Sequence, residues 1–238
     1  MSQLILSPSL IAISGLFIVG ERDDDAGVIE ARPSLETPIG ELRFAGIDFE
    51  SAGAARGRTD VPVQIGMGSW SLAGGVESLF DSYLRSDHSI TWAARKVHGI
   101  RDEDLVGAPS LIELWPQVRE QLGGAAVVAH GQGTEKRFLR AFPGHGFGPW
   151  IDTLLLARAA WPDLPDHSLG AVCRARGLDD RVREWVPGRQ WHDALFDAVA
   201  SLLILEDLVQ SSQLAAQPLE VLRSPNTSPW HRKSKHRG

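Results

Sequence analysis

The order of the predicted secondary-structure elements constrains the fold of this chain more than any single motif. Three segments with strand-like apolar patterns come first, and shorter strand-like segments then alternate with segments of helical periodicity. An opening run of strands followed by this alternation is typical of α/β domains built on a mixed sheet. We therefore predict strands near 43–50, 61–67, 76–84, 125–129 and 150–152, and helices near 111–122, 134–141, 153–160, 169–176 and 193–210.

The predicted helix at 111–122 has a recognisable start and end. Ser110 and Glu113 form a capping-box pattern, and Gly123 ends the apolar periodicity. Pro116 lies inside this segment, where a proline removes one helical hydrogen bond and clashes with the preceding turn. We therefore expect a kink at Pro116.

Composition limits what the whole chain can be. Its 238 residues are enough for one globular domain with appendages. A net charge of −6 argues against a protein that coats long nucleic acid, but it does not exclude an enzyme that holds only a chain end. The single cysteine, Cys173, excludes an intrachain disulfide and any multi-cysteine metal site. We accordingly expect a cytoplasmic protein that does not enter a membrane.

The two ends of the chain differ from its centre. Residues 4–19 are largely apolar, but they fall short of the ~20 residues that span a bilayer and follow no basic segment. We expect residues 1–40 to form an extension, either an added strand or hairpin or a stretch upstream of the true start. Residues 41–212 would form the main domain. The remaining residues, 213–238, would be a disordered basic tail.

Two carboxylates stand on one face of the first predicted strand. Asp48 and Glu50 are two residues apart, and side chains at this spacing point to the same side of a strand. The strand is otherwise apolar, and two charges on a buried face are costly unless a cation or a polar partner neutralises them. Oxygen ligands of this kind suit Mg²⁺ or Mn²⁺. A solvated pair at a strand end is the simpler alternative.

A histidine and an aspartate frame the start of the last predicted helix. At 3.6 residues per turn His192 and Asp197 would lie about 140° apart, so they cannot converge if both are helical. They can converge if Asp193 is the N-cap and His192 lies just outside the helix. Asp197 interrupts an apolar stripe, which indicates either a site residue or an acid that interacts with the helix dipole.

A third acidic residue follows a glycine-rich turn. His130 comes directly after the predicted strand at 125–129, Thr134 is expected to cap the next helix, and Glu135 lies in its first turn. By itself this pattern is typical of helix capping.

Taken in order, these three segments resemble the motifs of the DnaQ-like, or DEDDh, 3′→5′ exonucleases, a family with an RNase H-like fold. Motif I corresponds to residues 44–53, motif II to 129–139 and motif III to 192–198. The resemblance covers about residues 42–210 and implies an RNase H-like α/β fold, with a mixed five-stranded sheet flanked by helices. Supporting patterns lie between the motifs, at 64–66, 97–100, 102–104 and 152–158.

The resemblance also implies a catalytic mechanism. Two divalent ions, Mg²⁺ or Mn²⁺, would be held by four carboxylates, with Asp48 bridging both ions and His192 acting as general base. Such a site activates a water molecule and stabilises the leaving oxygen. The four implied metal ligands are Asp48, Glu50, Glu135 and Asp197, and the implied contacts of the terminal nucleotide are Phe49, Ser51 and Ala52.

Three positions depart from the family pattern. Motif II usually carries Asp where this chain has Glu135, and Asn where it has Gly131. Glu135 keeps a carboxylate that reaches one methylene further, so we expect activity with altered metal geometry. Gly131 lacks an amide that would contact the substrate. Ser51 replaces a frequent Thr and keeps the hydroxyl.

The implied reaction is release of nucleoside 5′-monophosphates from the 3′ end of single-stranded nucleic acid, with DNA favoured, as in proofreading or repair. Two alternatives stay open: RNA 3′-end trimming like that of RNase T or oligoribonuclease, and a catalytically inactive module that binds nucleic acid. A polymerase partner and self-association are also left open. Among other residues, His98 and His130 are expected to be structural, and Trp70, Trp92 and Trp115 to pack against the protein rather than stack on bases.

Overall fold

A mixed five-stranded sheet forms the centre of the computed structural model, which describes residues 31–142 and 144–223. The first three strands pair antiparallel in sequence order, and the last two run parallel to the first. The sheet order is β3-β2-β1-β4-β5, which confirms the predicted fold class. The strands are β1 (Arg43–Ser51), β2 (Pro62–Ser71), β3 (Gly75–Tyr83), β4 (Ala126–Ala129) and β5 (Trp150–Asp152).

Helices flank both faces of this sheet. The helices predicted from periodicity are present. The structure also contains α1, α6 and α8, which apolar periodicity does not predict because they are short and carry few buried residues. None of the helices in the described ranges is long and apolar enough to cross a membrane. The helices are α1 (Trp92–His98), α2 (Trp115–Leu122), α3 (Gly133–Leu139), α4 (Thr153–Ala160), α5 (Leu169–Arg176), α6 (Asp179–Trp185), α7 (Ala194–Ser211) and α8 (Glu220–Arg223).

The longest helix, α7, lies directly on β1 and β2. Its apolar side chains are buried almost all the way round, because the sheet covers one side and α4, α5 and α6 cover the other. Two strand glycines permit the close approach. A Cβ at Gly46 would lie 2.7 Å from Leu202 Cγ, and one at Gly66 would lie 2.1 Å from the backbone nitrogen of Leu195.

A second apolar layer covers the other face of the sheet and includes Ile47, Val118 and Phe138. The helix predicted at 111–122 begins only at Trp115, so Pro116 lies in its first turn. A proline there costs little because the first helical N–H groups have no intrahelical partner. The kink expected at Pro116 is therefore absent.

The two ends of the described chain pack against each other. The Ile39 N–H donates to Gln217 O at 2.9 Å, and Ile39 and Leu219 are fully buried. Residues 35–40 and 213–222 therefore belong to the packed domain, and the boundaries predicted at 40 and 212 need correction because apolar side chains beyond them enter the core. The predictions for residues 1–30 and 224–238 lie outside the described residues.

Candidate active site

The carboxylates of β1 point to the face of the sheet that α7 covers. Asp48 lies opposite Gly66 of β2, and Glu50 lies opposite Gln64. Directly opposed residues of antiparallel strands project to the same face, and a Cβ at Gly66 would meet the backbone of Leu195. The first turns of α7 therefore stand beside Asp48 and Glu50.

The start of α7 has the geometry that convergence of His192 and Asp197 requires. Asp193 is the N-cap, and its side chain accepts hydrogen bonds from the N–H groups of Leu195 and Phe196. His192 lies just outside the helix with a φ of +66°, and its backbone N–H donates to Asp197 Oδ2 at 3.3 Å. This confirms the predicted N-cap.

Glu135 reaches the same site from α3. The helix begins at Gly133, so Thr134 lies within its first turn instead of capping it. Asp152 at the end of β5 fixes the preceding turn, because its carboxylate accepts from the N–H groups of Gly131 and Gln132 at 3.0 and 3.3 Å. Gly131 has a φ of +88°, a conformation that glycine and asparagine adopt most easily.

Burial raises the pKa values of all four carboxyl groups, and repulsion between negative charges adds to this effect. Burial, followed by the charge of Glu135, raises the pKa of Asp48 well above its usual range. Burial and the charge of Asp48 raise the pKa of Glu50 to about 9 and that of Asp197 to about 8. Burial raises the pKa of Glu135 to about 7. Asp48 is therefore the central group, since it interacts with each of the other three.

The donor set fits divalent metal ions. Oε2 of Glu135 and Oδ1 of Asp197 are buried and accept no hydrogen bond within the described residues, which is unusual for carboxylate oxygens. Glu50, His192 and Asp197 each offer one ligand atom, and these three atoms lie within 4.8 Å of one another. Carboxylate oxygens with a single imidazole suit Mg²⁺ or Mn²⁺.

The structure reveals a polar clamp at the start of α7 that the sequence did not assign. Gln64 is buried in β2, and its amide donates to Asp193 Oδ2 and accepts from the Ala194 N–H. Arg189 forms ion pairs with Asp193 and with Asp81 of β3, at 2.8 and 2.7 Å. A buried Gln inside an apolar strand signals that it must have hydrogen-bond partners, but no local pattern pairs Arg189 with Asp81.

We predict that Arg189→Met lowers kcat by about tenfold to a hundredfold and leaves KM nearly unchanged. The two ion pairs of Arg189 fix the segment that carries His192, and small misplacements of a catalytic group cost this much. Steady-state kinetics on an oligonucleotide would measure the effect. Arg181→Met is the control, because its partner Glu206 lies far along α7, and an equal loss in both variants would contradict the positioning role.

Several residues singled out in the sequence make contacts within the protein or are buried in it. Both ring nitrogens of His98 are engaged, one 3.1 Å from Ser51 O and the other accepting from the Ile100 N–H. Those of His130 are also engaged, in line with the structural roles expected. Phe49 and Ala52 are almost fully buried, whereas Ser51 is partly exposed. Contact of these three residues with a nucleotide stays a prediction.

Comparison with known proteins agrees with this arrangement. The exonuclease family model matches residues 45–205. A DNA polymerase III subunit epsilon-like protein of Rhodobacter capsulatus is 30% identical over 174 residues, which cover 70% of this chain and 23% of that protein. Exodeoxyribonuclease 10 of Escherichia coli K12 is 27% identical over 65% of this chain and 66% of its own length. The chain thus spans less than two thirds of the curated relatives' length.

Solved structures share the fold. Exonuclease X in complex with 5′-overhanging duplex DNA superimposes with a TM-score of 0.62 and 26% identity, covering 77% of this chain and 99% of that one. The nuclease domain of 3′hExo, a DEDDh family member bound to rAMP, has a TM-score of 0.59 at 15% identity, covering 74% and 95%. With motifs, fold and family match in agreement, the chain belongs to the exonuclease family.

Proposed function

We propose that this protein is a two-metal-ion exonuclease that releases nucleoside 5′-monophosphates from the 3′ end of single-stranded nucleic acid. The observation that carries the proposal is the pair of buried, unpartnered oxygens on Glu135 and Asp197 beside Asp48. These groups come from three different elements, and the two unpartnered oxygens accept no hydrogen bond within the described residues that would explain their burial. A site for cations accounts for all of them.

Each residue has a distinct role in this proposal. Asp48, Glu50, Glu135 and Asp197 carry four negative charges, which two divalent ions would neutralise before the scissile phosphate arrives. Bound ions would polarise the phosphate and lower the pKa of the attacking water. His192 is exposed next to Glu50 and Asp197. Its ring can therefore act as general base and accept a proton from the attacking water molecule. The bond from its N–H to Asp197 orients the residue.

Exonuclease assays provide the direct test. The purified chain should shorten a 5′-labelled single-stranded oligonucleotide one nucleotide at a time with Mg²⁺ or Mn²⁺, and EDTA should stop the reaction. Thin-layer chromatography should identify 5′-monophosphates as products. Activity that persists in EDTA, or products that carry a 3′-phosphate, would contradict the proposal.

Metal binding should stabilise the protein more at alkaline than at acidic pH. In the metal-free folded protein Glu50 and Asp197 stay protonated up to about 9 and about 8, whereas in the unfolded chain they ionise near their usual values. The free energy of unfolding of the metal-free protein therefore falls as the pH rises from the usual carboxyl pKa values to about 9. Bound metal ions remove this cost, because they neutralise the carboxylates once these have lost their protons. Calorimetry should show a Mn²⁺-induced rise in Tm of several degrees at about pH 8.5 and a small one at about pH 5.5. An equal rise at both values would contradict this ligand set.

DNA is the favoured substrate because the relatives named above are a DNA polymerase III epsilon-like protein and an exodeoxyribonuclease. RNA trimming, like that of RNase T or oligoribonuclease, is the alternative within the same chemistry. Matched DNA and RNA oligonucleotides digested side by side would distinguish them. A higher kcat/KM on RNA would favour the alternative.

Two further proposals concern partners and inactivity. The polymerase III names among the relatives support association with a polymerase, which size-exclusion chromatography with purified polymerase subunits would test, along with self-association. An inactive nucleic-acid-binding module is the less favoured possibility, because all four carboxylates and His192 are present, and Glu50, His192 and Asp197 offer ligand atoms within 4.8 Å of one another. Calorimetric titration with Mn²⁺ in the presence of a nucleoside monophosphate would distinguish the two.

A further inference from the structure

Helix α1 presents an exposed tryptophan close to the proposed site. Trp70 is buried and Trp115 stacks on Phe142 with ring centroids 4.6 Å apart, as their predicted packing roles require. Trp92 is 76% exposed, and α1 has no buried residue at all. The packing role expected for Trp92 is therefore wrong. A tryptophan this exposed leaves an aromatic face open on which an unpaired base can stack.

Both ends of α1 are bonded to the residues that directly follow Glu50. At one end the Thr91 N–H donates to Ala52 O at 2.8 Å, and at the other His98 Nε2 lies 3.1 Å from Ser51 O. The helix is thus held in a fixed position beside the end of β1. Anything bound at Glu50 lies next to the exposed surface of α1.

The charges around this surface suit an anionic polymer. Helix α1 contains no acidic residue, and Lys96 Nζ lies 5.3 Å from the centroid of the Trp92 ring. Arg95 is paired with Asp102, which leaves Lys96 as the available cation of the helix. The turn that follows Gly53 adds Arg56 and Arg58, which are exposed and form no ion pair with the described residues.

We infer that Trp92 and Lys96, with Arg56 and Arg58, bind the single-stranded segment that precedes the 3′-terminal nucleotide. Trp92 stacks on one unpaired base, and the cations contact the adjacent phosphates. This contact is sequence-tolerant, because every base has a π-face, and it requires an unpaired base. The inference rests on the proposed exonuclease function and assigns the part of the substrate that lies outside the metal site.

Binding measurements without turnover test this surface directly. In EDTA, the anisotropy of a 5′-fluorescein-labelled dT12 oligonucleotide should show about tenfold weaker binding by Trp92→Leu, and near wild-type binding by Trp92→Phe, which keeps an aromatic face. Val97→Ala on the same exposed helix is the control and should bind normally. Lys96→Gln should reduce the slope of log K against log salt by about 0.7. Unchanged affinity in Trp92→Leu would overturn the inference.

An abasic series then locates the stacked base. Oligonucleotides with an abasic site at the second, third or fourth nucleotide from the 3′ end should show that one position removes the effect of Trp92→Leu. A loss that is the same on every abasic oligonucleotide would overturn the stacking role.

A mononucleotide substrate separates this inference from the proposed function. Hydrolysis of p-nitrophenyl thymidine 5′-monophosphate needs only the metal site, so Trp92→Leu should leave it unchanged while kcat/KM on dT12 falls about tenfold. If the wild type cleaves neither substrate, the proposed function fails, and the binding series still decides the role of Trp92. Equal losses on both substrates would show that Trp92 acts on the metal site and would overturn the inference.

Discussion

Replacement of Asp197 by Asn will lower exonuclease turnover by about a thousandfold or more and will make the metal-free protein more stable. Asn has the same shape but cannot supply the negative charge that a bound cation requires. Without metal the same charge lowers the free energy of unfolding, because burial and the charge of Asp48 disfavour the ionised form and raise the pKa of Asp197 to about 8. Each unit of pKa shift is worth about 1.4 kcal/mol, so we expect a gain of more than about 1 kcal/mol in the free energy of unfolding at about pH 8. This gain should disappear as the pH falls below about 4, where folded and unfolded chains both hold the proton.

Urea denaturation in EDTA and steady-state kinetics in Mg²⁺ measure the two effects. Asp207→Asn is the matched control on the same helix, because Asp207 accepts from Arg176 at 2.8 Å and lies outside the metal site. This control should keep full activity and lose a little stability, the opposite pattern in both respects. A destabilised Asp197→Asn protein would mean that the negative charge of this carboxylate stabilises the metal-free fold, and would contradict the metal-site interpretation.

Replacement of Gly66 by Ala should destabilise the protein by about 3 kcal/mol and sharply lower activity. The new Cβ would lie 2.1 Å from Leu195 N and 2.2 Å from Ala194 C. Both atoms are backbone of α7, so relief requires movement of the whole helix start. That movement carries His192 and Asp197 away from Glu50, because both lie within four residues of the contact.

Gly68→Ala is the control for this effect, since it changes the same strand face two residues further on. Its closest contact would be the end of the Leu79 side chain at 3.0 Å, which can move, and Leu202 and Val199 would lie at ordinary contact distances of 3.6 and 3.8 Å. We expect a cost below about 1 kcal/mol and normal kinetics. Thermal unfolding and kcat/KM measured on both variants would check the pair, and similar losses at the two positions would contradict the close approach of α7 as the cause.

The local signals in the sequence were sufficient for most of the fold. Strand and helix positions followed from apolar periodicity, and the Asp193 cap followed from the spacing of His192 and Asp197. The predictions were wrong where one local pattern is compatible with two structures. Pro116 predicts a kink but occupies the first turn of α2, and Thr134 predicts an N-cap but lies inside α3. The basic charge of the chain end predicts a tail over residues 213–238, but Leu214, Leu219 and Leu222 pack in the core.

Spatial contacts decided the rest of the candidate site. Trp70 is buried and Trp92 is exposed, and the residues next to them in the sequence do not predict this difference. The ion pair between Arg189 and Asp81 joins residues that are more than a hundred positions apart, and nothing in the sequence near either residue indicates the partner. Such long-range pairs depend on how the sheet and α7 are placed relative to each other.

The sequence by itself indicated candidate cation ligands, because two carboxylates share one strand face and a His–Asp pair stands at a helix start, but each of these patterns alone also has a structural explanation. It also determined the family, through three ordered motifs. Only the tertiary structure decided that one oxygen each of Glu135 and Asp197 is buried without a partner, that Gly66 allows α7 to pack closely on the sheet, and that Trp92 is exposed. The physical reason is that burial and partnership are properties of the packed elements, whereas periodicity and capping act within a few residues along the chain.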